Sequence, residues 1–237
     1  MKICVLGNSH VASLKSAWDE ISHQTEYAGI TVTYFANTRQ SMKDLQVCKG
    51  MLVPKTERLK KGISFTSNGI TEISPEKYDV FFVYGGRFKL QVADLQPFST
   101  AVVNSWLQDL VRNSSSLDIC RKLREITDKP IFVGHDPLLA MNAEDLLKID
   151  STEYKDVLEL FQSKIYDSLK CTILKQPEET IYKGQFTKKD YSSGSVSLTI
   201  SHDRVDRPHS LNDVWHMNAE FGKAYWSANM ARLCNSL

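Results

Sequence analysis

Lys2-Ile3-Cys4-Val5-Leu6-Gly7-Asn8-Ser9-His10 opens the chain with a short apolar run that stops at a glycine and turns polar. Val11, Leu14, Trp18 and Ile21 follow at three- and four-residue steps, so one apolar stripe marks a helix that begins just after Ser9. A buried strand passing straight into a helix is the first half of a crossover unit. It sets Ser9 at the carboxyl end of the strand and at a helix N-terminus, the edge where open α/β sheets bind their ligands.

The same alternation continues outward from this stretch. Brief apolar runs at residues 30–36, 79–84, 130–134 and 171–175 read as further buried strands. Helical periodicity occupies residues 101–111, 116–126, 153–169 and 218–235, the last closing the fold. Strands separated by helices predict an α/β fold, a parallel sheet with helices on both faces. Two segments interrupt the pattern. Residues 50–73 contain Gly62-Ile63-Ser64-Phe65-Thr66 and Gly69-Ile70-Thr71 around Asn68-Gly69, which predicts a β-hairpin leaving the core. Residues 176–211 are polar, interspersed with Tyr182, Phe186 and Tyr191, and read as an insertion, either a loop or small β-excursion over the site or a disordered segment. A length of 237 residues suits one domain, residues 1–237, that carries both excursions.

Composition narrows the classes of function. Hydrophobic content of 42% with 24% charge is ordinary for a globular chain, and no uncharged run is long enough to span a membrane. Residues 3–6 are too short for a signal-peptide core and no small-residue cleavage site follows, so they read as the first strand of the fold. Net charge of +1 gives no electrostatic reason to expect nucleic acid or anionic lipid, and small or neutral substrates fit better. Cys4, Cys48, Cys120, Cys171 and Cys234 are scattered, odd in number and unpaired in spacing, as expected of free thiols in a reducing, cytoplasmic setting. The histidines show no ligand spacing, so neither metal nor other cofactor is expected.

A serine at a strand-to-helix junction has two uses. It can cap the helix, or it can act as a nucleophile where unpaired backbone N–H groups and the positive dipole end stabilise an oxyanion. The far end of the chain favours the second. Asp213-Val214-Trp215-His216 sets a carboxylate three residues before an imidazole, a spacing that on one turn brings both side chains to one face. Serine is a weak nucleophile until a base takes its proton, and an aspartate both orients that base and stabilises the imidazolium. Asp206-Arg207-Pro208-His209 repeats the spacing, but it carries a proline in a polar stretch, whereas Asp213 to His216 leads directly into the terminal helix.

A strand followed by Gly7-Asn8-Ser9, then Asp213-Val214-Trp215-His216 with Asn218 opening a helix, resembles the first and last sequence blocks of the SGNH (GDSL-like) hydrolase superfamily. The two blocks bracket nearly the whole chain. The resemblance implies a flavodoxin-like three-layer αβα sandwich of about five parallel strands. It does not imply the α/β-hydrolase elbow, which needs glycine where Val11 stands. It also implies Ser9, Asp213 and His216 as a catalytic triad. Asn8 replaces the aspartate usual in that block. The family takes two further oxyanion donors from the loops after the second and third strands. In the second of these loops, Tyr84-Gly85-Gly86-Arg87, Arg87 stands near the place of the usual asparagine, so either Arg87 or the Gly86 N–H would join the Ser9 N–H. After the second strand, Asn37-Thr38-Arg39-Gln40-Ser41 holds no glycine, and the Ser41 N–H is the expected donor.

The expected activity is hydrolysis of a small acyl ester through an acyl-enzyme, with short acyl chains on a polar alcohol such as acetylated carbohydrate. O-acyl transfer to a sugar hydroxyl would use the same three residues, and a binding module that kept the fold without turnover is the alternative from another class. Asn8, His10, His135 and Tyr191 are candidate substrate contacts. Asp136 after the fourth strand is a further candidate to touch substrate, and His202 and His209 are candidates to line the pocket from the polar insertion, with solvated loop positions as their default role. The oligomeric state is left open.

Overall fold

The computed structural model describes residues 1–141, 152–201 and 207–236. Along the chain, β1 (Lys2–Gly7) leads into α1 (Val11–Ile21) and β2 (Thr31–Ala36). A hairpin of β3 (Leu45–Cys48) and β4 (Met51–Pro54) precedes α2 (Glu57–Thr66). β5 (Val80–Tyr84) is followed by α3 (Thr100–Val111) and α4 (Ser115–Arg124), then by β6 (Ile131–Gly134) and the short β7 (Ala140–Met141). α5 (Thr152–Phe161), β8 (Cys171–Leu174), β9 (Ile181–Tyr182), β10 (Phe186–Lys188) and α6 (Ala219–Cys234) complete the order.

The central sheet has five strands in the order β2-β1-β5-β6-β8, every neighbouring pair parallel. This is the flavodoxin-like arrangement, and its strand order reverses between β1 and β5. The crevice outside those two strand ends is therefore the place for a site. It is framed by Asn8-Ser9 on one side and Gly85-Gly86-Arg87 on the other.

Alternation along the strands divides the core into two layers. Ile3 and Val5 pack with Val11, Leu14, Trp18, Phe221 and Trp226 from α1 and α6. Cys4 and Leu6 point the other way, toward Leu59, Ile63, Leu117, Ile119 and Val157 from α2, α4 and α5. α1 and α6 meet closely: a Cβ on Gly222 would collide with Ser13 O, and the Trp226 indole N–H donates to Leu14 O at 2.9 Å. Gly7 is constrained in the same way, because a side chain there would strike Tyr84 O and Val11.

The hairpin expected within residues 50–73 is corrected. Gly62 to Thr66 belong to α2, whose buried Leu59, Gly62, Ile63 and Thr66 fall at helical spacing and whose N-cap Thr56 accepts from Leu59 N–H. Asn68 and Gly69 do take positive φ, but they terminate that helix, with Gly69 N–H donating to Ser64 O at 2.7 Å. The actual hairpin lies earlier, where Lys49 and Gly50 at φ 50° and 74° turn β3 into β4.

The polar segment from residue 176 onward is a small β-excursion. β10 pairs with β7 and β9 in a three-stranded sheet, tied down by the buried Thr187 hydroxyl, which donates to Leu138 O at 2.6 Å. β7 also reaches the far end of the chain, since Ala140 N–H donates to Val214 O at 2.8 Å. Among the described residues no helix is long and apolar enough to cross a membrane.

Candidate active site

Ser9 stands in the tight turn between β1 and α1, where Val11 and Ala12 N–H groups already find Asn8 O and Ser9 O. Its hydroxyl does not cap the helix. It lies 3.1 Å from His216 Nε2, across 207 residues of sequence. His216 Nδ1 is 3.1 Å from Asp213 Oδ2. A carboxylate only accepts, so Nδ1 must carry the proton and Nε2 is left to accept from the Ser9 hydroxyl. The three residues are thus strung in one line of hydrogen bonds at the carboxyl edge of β1.

The pairing of Asp213 with His216 arises differently from the expected helical turn, because residues 213–218 are not helical. Asp213 Oδ1 accepts from the backbone N–H groups of Trp215 and His216, each at 2.8 Å, and this local turn aims Oδ2 at the imidazole. Burial pushes the Asp213 carboxyl up, but the hydrogen bonds from His216 and Trp215 outweigh it and hold the group below its usual range. The loop is fastened on three sides: Ala140 N–H on Val214 O, Lys189 Nζ on Asp213 O at 3.1 Å, and Asn218 capping α6 through Phe221 N–H.

His209 joins this group. Its ring stacks on His216 with centroids 4.0 Å apart and planes 6° from parallel, and its Nδ1 is 3.7 Å from Asp213 Oδ2. Burial and the adjacent His216 both depress its pKa, so the ring is neutral near pH 7. Nothing in the sequence signalled this, since Pro208 and the polar surroundings assign His209 to a solvated loop; the β-bridge between Val196 and Pro208 carries it inward. Asp206, the carboxylate of the competing spacing, and His202 lie outside the described residues. Donor atoms of His209, Asp213 and His216 come within 4.8 Å of one another. Two parallel stacked imidazoles direct their in-plane lone pairs along separate planes, however, so the cluster is poorly shaped to converge on one ion.

On the opposite flank His10 forms a second histidine–carboxylate pair. Its Nε2 is 3.8 Å from Asp136 Oδ1, its side chain is 9% exposed, and its ring centroid lies 5.3 Å from that of His216. Burial lowers its pKa against the opposing pull of Asp136, so His10 is also neutral near pH 7. Asn8, itself buried, accepts from His10 N–H at 3.2 Å and so shapes the turn.

The expected oxyanion donors fare unequally. Gly85, Gly86 and Arg87 all adopt positive φ, and a side chain on Gly85 would run into Asn8 Oδ1, so this loop packs directly against the Asn8-Ser9 turn. The Arg87 backbone N–H is already committed to Asp136 Oδ1 at 3.2 Å, so only the guanidinium of this exposed residue is left as a donor. The Gly86 and Ser9 N–H groups meet no acceptor among the described residues. Ser41 begins a 3-10 turn with its hydroxyl on Thr38 O, and no hydrogen bond among the described residues joins it to Ser9 or His216.

One of the four candidate substrate contacts, His135, is corrected. His135 is 3% exposed and turned into the core, with Nδ1 at Asp136 O and Nε2 at the Tyr154 hydroxyl. A ring with both nitrogens satisfied inside the protein has nothing left for a substrate. Tyr191 packs its half-buried ring on Phe221 of α6, and its carbonyl accepts from Asn218 N–H. A cavity of about 830 Å³ lies along the β2 edge between Trp18, Tyr34 and Ser67, and Ser9 does not line it.

No family model and no curated protein sequence matches the chain. Among solved structures it is similar to the periplasmic domain of a lipopolysaccharide acetyltransferase from Salmonella ser. Paratyphi A. That match has a TM-score of 0.48 and 8% identity, covering 98% of this chain and 83% of that one. A carbohydrate acetylesterase family member from Sinorhizobium meliloti is similar at TM-score 0.45 and 11% identity, covering 100% of this chain and 99% of that one.

Proposed function

We propose that the chain is a serine-dependent esterase of the SGNH type acting on a small acyl ester, with Ser9 as nucleophile, His216 as general base and acid, and Asp213 as the residue that orients His216. The observation that carries this reading is the unbroken line Ser9 Oγ, His216 Nε2, His216 Nδ1, Asp213 Oδ2, both links at 3.1 Å. Such a line between residues 207 apart has no structural need, because neither helix nor sheet depends on it.

In the reaction, His216 Nε2 takes the proton of the Ser9 hydroxyl as Oγ bonds to the ester carbonyl carbon. The carbonyl oxygen becomes an oxyanion, held by the Ser9 and Gly86 N–H groups. Collapse breaks the bond to the alcohol, which leaves with the proton from His216 Nε2, and the acyl group remains on Ser9. Water then attacks the acyl carbon, giving its proton to His216, and the acid departs as Ser9 recovers its own.

Solvent access favours hydrolysis over transfer: the His216 side chain is 23% exposed, so water reaches the base that activates it. The same triad would transfer the acyl group to a sugar hydroxyl bound in place of that water. The five free cysteines, three of them buried, fit a reducing cytoplasm. Labelling by a fluorophosphonate probe tests the reading. Native protein should label, Ser9→Ala should not, and His216→Ala should label far more slowly. Folded native protein that fails to label would overturn it.

A further inference from the structure

Trp215 stands between Asp213 and His216 with its indole 48% exposed, an unusual position for so large an apolar surface. Its backbone is fixed by the bond from its N–H to Asp213 Oδ1, so the ring has a definite place beside the triad. Lys89, from the loop after β5, holds its ammonium 5.0 Å from the centre of that ring. Arg87 is exposed two residues earlier, and Lys189 lies across the loop on Leu211 O and Asp213 O. Among the described residues none of these three cations forms an ion pair, while the nearby carboxylates Asp136 and Asp213 are turned inward at 11% and 17% exposure. The rim is therefore basic, although the chain as a whole carries only +1.

We propose that Trp215 and Lys89 form the substrate platform of this enzyme and select a sugar ring bearing a negative charge, carboxylate, phosphate or sulfate, whose apolar face lies on the indole while the anion meets Lys89 Nζ. The proposal rests on the esterase reading of Ser9 and names its substrate class. Its physical basis is a competition. In the free protein Lys89 rests on the indole, and an exposed cation–π contact is weak. A charge-assisted hydrogen bond to an anion is stronger, so an anionic sugar draws the ammonium aside and uncovers the ring. A neutral sugar must displace Lys89 and offers it nothing in return, so discrimination arises without any steric exclusion.

Binding of unacetylated probes to the native chain tests this without calling on catalysis: trigalacturonic acid, its neutral counterpart galactotriose, and glucose 6-phosphate, followed by titration calorimetry. An anionic probe should bind about tenfold or more tighter than galactotriose in low salt, and the advantage should shrink at high ionic strength. Whichever of the carboxylate and phosphate probes binds tighter identifies the anion. Lys89→Gln should abolish the preference, Trp215→Ala should weaken the anionic probe about fivefold, and Trp215→Phe should restore part of the loss. Equal affinity for charged and neutral sugars, no binding of either anionic probe, or variants that bind like the native chain would each overturn the proposal. Binding without fluorophosphonate labelling leaves the platform standing and removes the esterase; labelling without binding does the reverse.

Discussion

Gly222 of α6 lies so close to Ser13 of α1 that any side chain on it would strike the Ser13 carbonyl and the Ala17 methyl. The contact matters because α1 begins just after Ser9 and α6 just after His216, so it sets the separation of the proposed nucleophile and base. Gly222→Ala should destabilise the fold by about 1–3 kcal/mol through overpacking. It should also slow labelling of Ser9 at temperatures where the protein remains folded. Urea melts and labelling rates on the same sample check this; a stability loss with an unchanged labelling rate would separate the two helices from the site.

Asp213→Asn keeps the shape and one acceptor oxygen for the Trp215 and His216 N–H groups, so the loop should remain folded. The amide no longer holds the required tautomer of His216. The turnover number on p-nitrophenyl acetate should fall by about 10³–10⁴ with little change in melting temperature. A loss below tenfold would remove Asp213 from the mechanism.

His209 confines one face of the His216 ring at 4.0 Å. His209→Ala should cut turnover about threefold to tenfold, as expected for loss of one stacking contact worth about 1 kcal/mol. His209→Phe, which keeps the stack but not the approach to Asp213, should recover most of it. Failure of the phenylalanine variant to recover would shift the role of His209 from the ring contact to its nitrogens.

Acid should destabilise the protein in two stages. Burial depresses His10, His135 and His209 below their ordinary 6.5, so between the folded and unfolded values the unfolded chain binds more protons and the free energy of unfolding falls as pH drops below 6.5. His10 faces Asp136, His216, Asp213 and Lys89, whose charges partly offset one another and leave burial as the larger effect. Asp213, held below its ordinary 3.8, adds its own loss only in stronger acid, as pH falls from that value through the folded pKa. Urea midpoints should fall between about pH 7.5 and 5.5 and do so less steeply in His10→Asn. An unchanged midpoint over that range in the native chain would show that the buried imidazoles do not resist protonation.

The strand runs, the helix after Ser9 and the terminal helix were legible because burial on both faces imposes continuous apolar runs and helical stripes that need no distant partner to be seen. The three residues of the proposed triad could be singled out because Ser9, Asp213 and His216 stand beside element boundaries that sequence marks well, and folding brings them within hydrogen-bond distance. Residues 57–66 were misread because Asn68-Gly69 attracts a hairpin reading, while Leu59, Ile63 and Thr66 already carried a helical stripe after the Thr56 cap.

What only the tertiary structure decided is which polar groups meet. His209 and Tyr191 come from the same polar insertion, yet one stacks on His216 and the other packs on Phe221. His135 and Asp136 are neighbours in sequence, yet one faces the core and the other His10. The sequence by itself determined the layers of this protein, since apolar periodicity is a local property enforced by the hydrophobic effect. The stack of His209 on His216, the committed Arg87 N–H and the basic rim at Trp215 depend on contacts and charges that act over a few ångströms, between residues that only folding brings together.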